Sequence, residues 1–154
     1  MSDAQTSPTN RTSETSQLES RLGTFGGRIV HMAEELPETK PARHIRDQLT
    51  RAGTAPGAHY AEACSAQSHP DFTHKISLAA KEARESLYWL RVIRDAEWFD
   101  DGTLTSLIRE ADELVAMLFS SLKTARASAE TSEEERLGRL GLATRDRWDR
   151  YECG

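Results

Sequence analysis

Residues 68–94 read SHPDFTHKISLAAKEARESLYWLRVIR, and this stretch decides the fold. Phe72, Ile76, Ala79, Ala80, Ala83, Leu87 and Leu90 recur at steps of three and four, which puts them on one face of an α-helix. Ser68-His69-Pro70-Asp71 supplies the start: a serine to cap the first amides, a proline whose missing N–H costs nothing in the first turn, and an acid at the positive end of the helix dipole. The helix is predicted to run to about Ala96. Alanines at the centre of its stripe allow neighbouring helices to approach closely.

The same spacing extends outward in both directions. After Asp100-Asp101-Gly102-Thr103, a wide stripe of Leu104, Leu107, Ile108, Ala111, Leu114, Val115, Leu118, Phe119 and Leu122 predicts a second long helix. Upstream, Ile45, Leu49, Ala52 and Tyr60 predict a helix from about Pro41 toward Cys64. Gly53, Pro56 and Gly57 interrupt it, and an interior proline costs about 3 kcal/mol, so a break or kink is expected near Pro56. Phe25, Ile29, Met32, Ala33 and Leu36 predict a short helix from about Thr24, closed by Pro37. No segment sustains the period of two that marks a strand. Four amphipathic helices with short connections predict an all-α, antiparallel up-and-down four-helix bundle over residues 24–125. Residues 1–23 are Ser/Thr-rich and are expected to form a disordered tail. Residues 126–154 are expected to form a charged, loosely helical C-terminal tail.

Composition excludes several classes of protein. The chain has 154 residues, a formal net charge of -5 and only two cysteines, Cys64 and Cys153, so neither a disulfide scaffold nor a cysteine-rich zinc site is expected. No apolar run approaches the ~18 residues of a membrane span. Together these features predict a cytoplasmic protein that does not associate with membranes.

Catalytic chemistry finds little support. A di-metal carboxylate bundle needs Glu-x-x-His on two helices. The nearest match is a single Asp71-x-x-His74, in which Asp71 already serves the helix start; His31 with Glu34 and Glu35 is weaker still. Cys64, His59 and His69 lie in no nucleophile-elbow or Cys-His pattern, and Cys64 is expected to be buried and inert. Gly23, Gly26 and Gly27 do not match a phosphate-binding loop. The reading is a protein that is not an enzyme and carries no metal or cofactor.

Surface chemistry is more suggestive. Lys81, Arg84, Tyr88 and Arg91 recur at steps of three, four and three away from the apolar stripe, a basic line with one aromatic that suits phosphates or an acidic partner. The alternative is an ordinary solvated face with Glu82, Glu85 and Asp95 as ion partners. On another flank, Trp89 and Ile93 form an apolar pair outside the core stripe, and Met117 occupies a similar position on the last helix. These three are expected at a subunit interface.

With the helices placed, a family resemblance emerges. It rests on Arg28-Ile29-Val30, Gln48-Leu49-Thr50-Arg51-Ala52-Gly53-Thr54, Ala61-Glu62-Ala63, Asp71-Phe72-Thr73-His74-Lys75 and, above all, Lys81-Glu82-Ala83-Arg84-Glu85-Ser86-Leu87-Tyr88-Trp89-Leu90-Arg91. In this order the segments resemble the bacterial four helix bundle proteins, first met as 23S ribosomal RNA intervening-sequence proteins. The resemblance spans about Thr24 to Leu122. It implies an up-and-down bundle assembled as a ring, commonly a homopentamer, without recognised enzymatic activity. Relatives include the accessory variability determinants of diversity-generating retroelements, which implies nucleic acid and a reverse transcriptase as alternative partners. Where the family usually carries Ser-Ile-Gly-Ala-Asn, this chain has Ala55-Pro56-Gly57-Ala58-His59. Arg51, Glu62, Glu82 and Glu85 are the charged members of these motifs, and they are expected to pair between helices and fix their register.

Overall fold

The computed structural model describes residues 8–99 and 102–141, with side chains from Thr15 onward. Four helices, α1 (Pro8–Glu34), α2 (Lys40–Cys64), α3 (His69–Asp95) and α4 (Gly102–Arg139), make up an up-and-down four-helix bundle. Each packs on its neighbours in sequence and α1 closes against α4, while the diagonal pairs stay apart. The most extensive interface lies between α2 and α3.

Local chemistry sets the helix ends. Thr39 caps α2, its hydroxyl accepting from the Ala42 amide at 3.3 Å, and Ser68 caps α3 by accepting from the Asp71 amide at 3.3 Å. Each helix has a proline in its first turn. The α1 end is closed from another helix: Arg46 of α2 donates to the carbonyls of Ala33 (2.9 Å) and Leu36 (2.7 Å) and pairs with Glu38 at 2.8 Å. Helix α3 stops where Glu97 turns left-handed at φ 56°, which carries Trp98 and Phe99 back against the core.

Two boundaries differ from expectation. Helix α1 begins at Pro8 rather than near Thr24. Leu18 and Leu22 carry its apolar stripe back from Phe25, Ile29 and Met32, and both are buried, so the bundle includes much of the segment expected to be a disordered tail. The serines and threonines there, such as Ser16, Ser20 and Thr24, face outward. Residues 1–7 lie outside the described part. At the other end α4 continues to Arg139, and from Arg126 onward its side chains are exposed apart from a half-covered Leu137. Residues 142–154 lie outside the described part.

Helix α2 also departs from expectation, since it runs through a buried Pro56 without a break. The residues around the proline pack closely on α1. A side chain on Gly53 would come within 2.6 Å of Ile29 Cγ2, and one on Gly26 would meet the Gly53 carbonyl at 3.5 Å. The α1 and α2 backbones are therefore close because neither helix has a side chain at the crossing. Ile29 fills the space a side chain at position 53 would take.

Gly53→Ala is expected to lower the unfolding free energy by about 1–3 kcal/mol, because Ile29 is fully buried and has little room to yield. Gly27→Ala, with open space around it, should instead raise stability by up to about 1 kcal/mol through helix propensity. Urea unfolding of the two variants checks both signs.

Candidate interaction surface

The residues that carry the family resemblance converge where α2 meets α3. Arg51 of α2 reaches Glu82 at 3.0 and 3.3 Å, pairs with Glu85, and donates to Gln48 at 3.3 Å. Glu85 also accepts from the Trp89 indole at 3.2 Å. The Trp89 ring meets His44 edge-on at 6.0 Å and Tyr88 at 4.9 Å. The small residues Ala79, Ala80, Ala83 and Ser86 are fully buried beneath this line, which brings α2 close enough for Arg51 to span the gap. Ser86, the buried polar residue among those described, turns its hydroxyl back to the Ala83 carbonyl at 2.8 Å.

Glu62 takes a different partner from the other motif carboxylates. It pairs with Lys75 of α3, and His59 Nδ1 lies 4.0 Å from it. Hydrogen bonding and charge from Lys75 hold the Glu62 carboxyl below the usual range, and the same contact raises Lys75. Arg46 acts on Glu38 in the same way. The Nδ1 of His59 is buried, and among the described residues no hydrogen-bond partner lies within bonding distance of it.

The basic line on α3 is exposed along its length. It is not free of the bundle, however: the Arg84 guanidinium lies 4.2 Å from the centroid of the Phe119 ring, and Arg91 pairs with Asp112 at 3.6 Å. Both contacts turn the line toward α4. Tyr88 is 57% exposed.

The expected interface trio divides. Ile93 is fully buried, so it belongs to the core and not to a surface pair. Its position three residues after Leu90 continues the core stripe. Trp89 is half-covered by His44 and its own helix. Met117 is partly exposed, with its sulfur accepting from Arg21 at 3.3 Å. It borders a groove of about 600 Å³ between α1 and α4, together with Thr15, Leu18 and Tyr60.

Cys64 is exposed at the end of α2, contrary to the expectation of a buried thiol. Its helix ends there, and the chain turns away at Ser65. Partial burial of the sulfur, followed by the nearby Glu19 carboxylate, pushes the thiol above its ordinary value. Burial also raises the Tyr60 phenol. His69 donates from Nε2 to the Ala125 carbonyl at 2.7 Å, which joins the start of α3 to α4. Among the described residues, no group of three or more histidine, cysteine or carboxylate side chains is placed to hold a metal ion. No described helix is long and apolar enough to cross a membrane.

Two polar contacts had no sequence signal. Arg46 acts on the carbonyls of Leu36 and Ala33, 10 and 13 residues away, and Arg21 bridges 89 and 92 residues to Glu110 and Glu113 at 3.0 and 2.8 Å. Neither lies in a motif. Only the tertiary placement of their helices identifies them.

The model for the 23S rRNA-intervening sequence protein family matches residues 23–120, the span that holds the Arg51 network and the aromatic line. The chain belongs to this family. A crystal structure of a protein of unknown function from the S23 ribosomal protein family of Bacteroides thetaiotaomicron is similar to this family member, with a TM-score of 0.64 and 31% identity. The match covers 69% of this chain and 98% of the other. No curated protein gives a significant match.

The lowered carboxyls give the pH dependence a sign. A carboxylate held lower in the folded chain adds stability that is complete above its unfolded value of 4.5 and is lost as pH falls through its lowered folded value. Glu38→Gln/Glu62→Gln is therefore expected to flatten the fall in urea midpoint below pH 4.5 relative to the wild type. An unchanged slope would remove these two contacts from the acid response.

Proposed function

We propose that this family member is a cytoplasmic, non-catalytic scaffold that assembles as a homo-oligomer, as a ring of five by analogy with its family, and presents its outer helix faces to partners. The observation that carries the reading is Tyr88, 57% exposed and packed edge-on against the half-covered Trp89. Exposed aromatics beside a rigid helix face are characteristic of interface cores. The Arg51 network supports it too, because it holds α3 in one register and so presents the aromatics in one orientation.

A second reading rests on Lys81, Arg84, Tyr88 and Arg91 sharing one exposed flank. On this reading the protein is an accessory factor that binds nucleic acid, or a reverse transcriptase working on it, through that flank. Binding of RNA or DNA through it would weaken steeply with salt and be lost in Arg84→Glu.

Native mass spectrometry of the untagged full chain distinguishes the two. A bare homo-oligomer that dissociates in Tyr88→Ala/Trp89→Ala is the expected result. A monomer at all concentrations overturns the scaffold reading, and an assembly that carries nuclease-sensitive RNA or DNA favours the accessory reading.

A further inference from the structure

Helix α1 changes character at Gly23. From Phe25 onward it is seated in the bundle: Gly26 crosses close to Gly53, Ile29 fills the space beside Gly53, and Arg46 holds the carbonyls of Ala33 and Leu36. This half has its own tie to α4, from Arg28 to the Ser106 hydroxyl at 3.0 Å. Residues 8–22 form about four further turns of the same helix. Among their described side chains the buried ones are Leu18 and Leu22.

The hold on these turns is light. Leu22 lies 3.7 Å from where a side chain on Gly57 would begin, and Thr15 hydrogen-bonds the Tyr60 phenol. Toward α4 the seam is not filled: Thr15, Leu18, Tyr60, Met117 and Ser121 border the open groove of about 600 Å³. The tie across it is Arg21, which donates to Glu110 at 3.0 and 3.1 Å, to Glu113 at 2.8 Å and to the Met117 sulfur at 3.3 Å. These carboxylate pairs are partly exposed, so salt weakens them. A helix of this length is marginal in water when it stands alone. At the junction, nothing lies within 4 Å of where a side chain on Gly23 would be, so packing does not require a glycine there, and the glycine weakens the helix at that point. The family match begins at the same residue, 23.

We propose that residues 8–22 are a strap, hinged at Gly23 and latched by Arg21, that lifts from the bundle as a unit. Lifting uncovers Gly57 and Tyr60 of α2 and Met117 of α4, while Phe25 and the rest of α1 keep their places. The two halves of the helix thus differ in role: the half after the hinge builds the body, and the half before it covers one apolar face of that body. The motion belongs to a single chain and does not depend on assembly.

The test is amide hydrogen exchange of the full chain, resolved along α1. Residues 12–22 should share one rate, about tenfold or more faster than residues 27–34 and the centre of α3, with the step at Gly23. Raising salt from about 0.05 to 0.5 M should speed the strap alone. Arg21→Met should speed it by about tenfold and abolish its salt response, with α3 unchanged. Gly23→Ala should slow exchange of the strap several-fold, whereas Gly27→Ala, on the seated side of the hinge, should not. Rates that rise smoothly from Gly23 back to Pro8 are end fraying and overturn the strap, as does exchange of residues 12–22 at the rate of the body. If Arg21→Met speeds all four helices alike, Arg21 is a general structural contact and the latch is overturned. Should that variant fail to fold, the wild-type salt response and Gly23→Ala decide the matter by the same criteria.

Discussion

What α3 buries determines what it can present. Its centre is a run of small residues, Ala79, Ala80, Ala83 and Ser86, each with almost no accessible surface. Side chains this short let α2 approach on one side and α4 on the other, and side chains on the rims then reach across. Arg51 meets Glu82 and Glu85 from α2, and Arg84 lies over Phe119 on α4. Larger residues at those positions would separate the helices, and the polar and aromatic contacts on both flanks would go with them. The individual ion pairs are partly exposed and each contributes at most about 1 kcal/mol. Their value is in orientation, since Glu85 holds both Arg51 and the Trp89 indole and so ties the aromatic line to the helix register.

The architecture was legible because it depends on spacing, and spacing survives in a single sequence. The Ser68 cap, the α3 stripe and the α4 stripe all occur where their residues indicate. The start of α1 was not legible, because a Ser/Thr-rich composition argues for disorder more loudly than two leucines argue for a helix. Only the presence of α2 and α4 gives Leu18 and Leu22 something to bury against. Ile93 was misplaced for a related reason: it lies four residues from Trp89 and three from Leu90, so spacing alone assigns it equally to a flank and to the core. Pro56 is the converse case, a residue whose local preference for a break is overridden by packing. Of the candidate surface, the charged members of the α2–α3 cluster could be read from sequence, whereas Arg46, Arg21 and Cys64 depend on where a neighbouring helix ends.

Membership of the 23S rRNA-intervening sequence protein family ties the bundle's middle, residues 23–120, to a common fold. The Bacteroides relative of unknown function shares that fold at 31% identity. Two features of this chain stand out, one inside that span and one beyond it. One is the stretch around Pro56, which lies beside a tight glycine crossing with α1. The other is α4 beyond Arg126, whose described side chains are exposed apart from a half-covered Leu137.

The corner between α1 and α2 has a consequence for how the chain acquires its structure. Arg46 closes three contacts with residues 8 to 13 positions earlier, so the loop it must order is short. Contacts of such short range lose little chain entropy on forming and are available early on the folding pathway. Arg21, by contrast, must wait for a partner nearly ninety residues away. The first helical hairpin is thus equipped to form while the ribosome is still making the fourth helix, and the seam between α1 and α4 is the last to close.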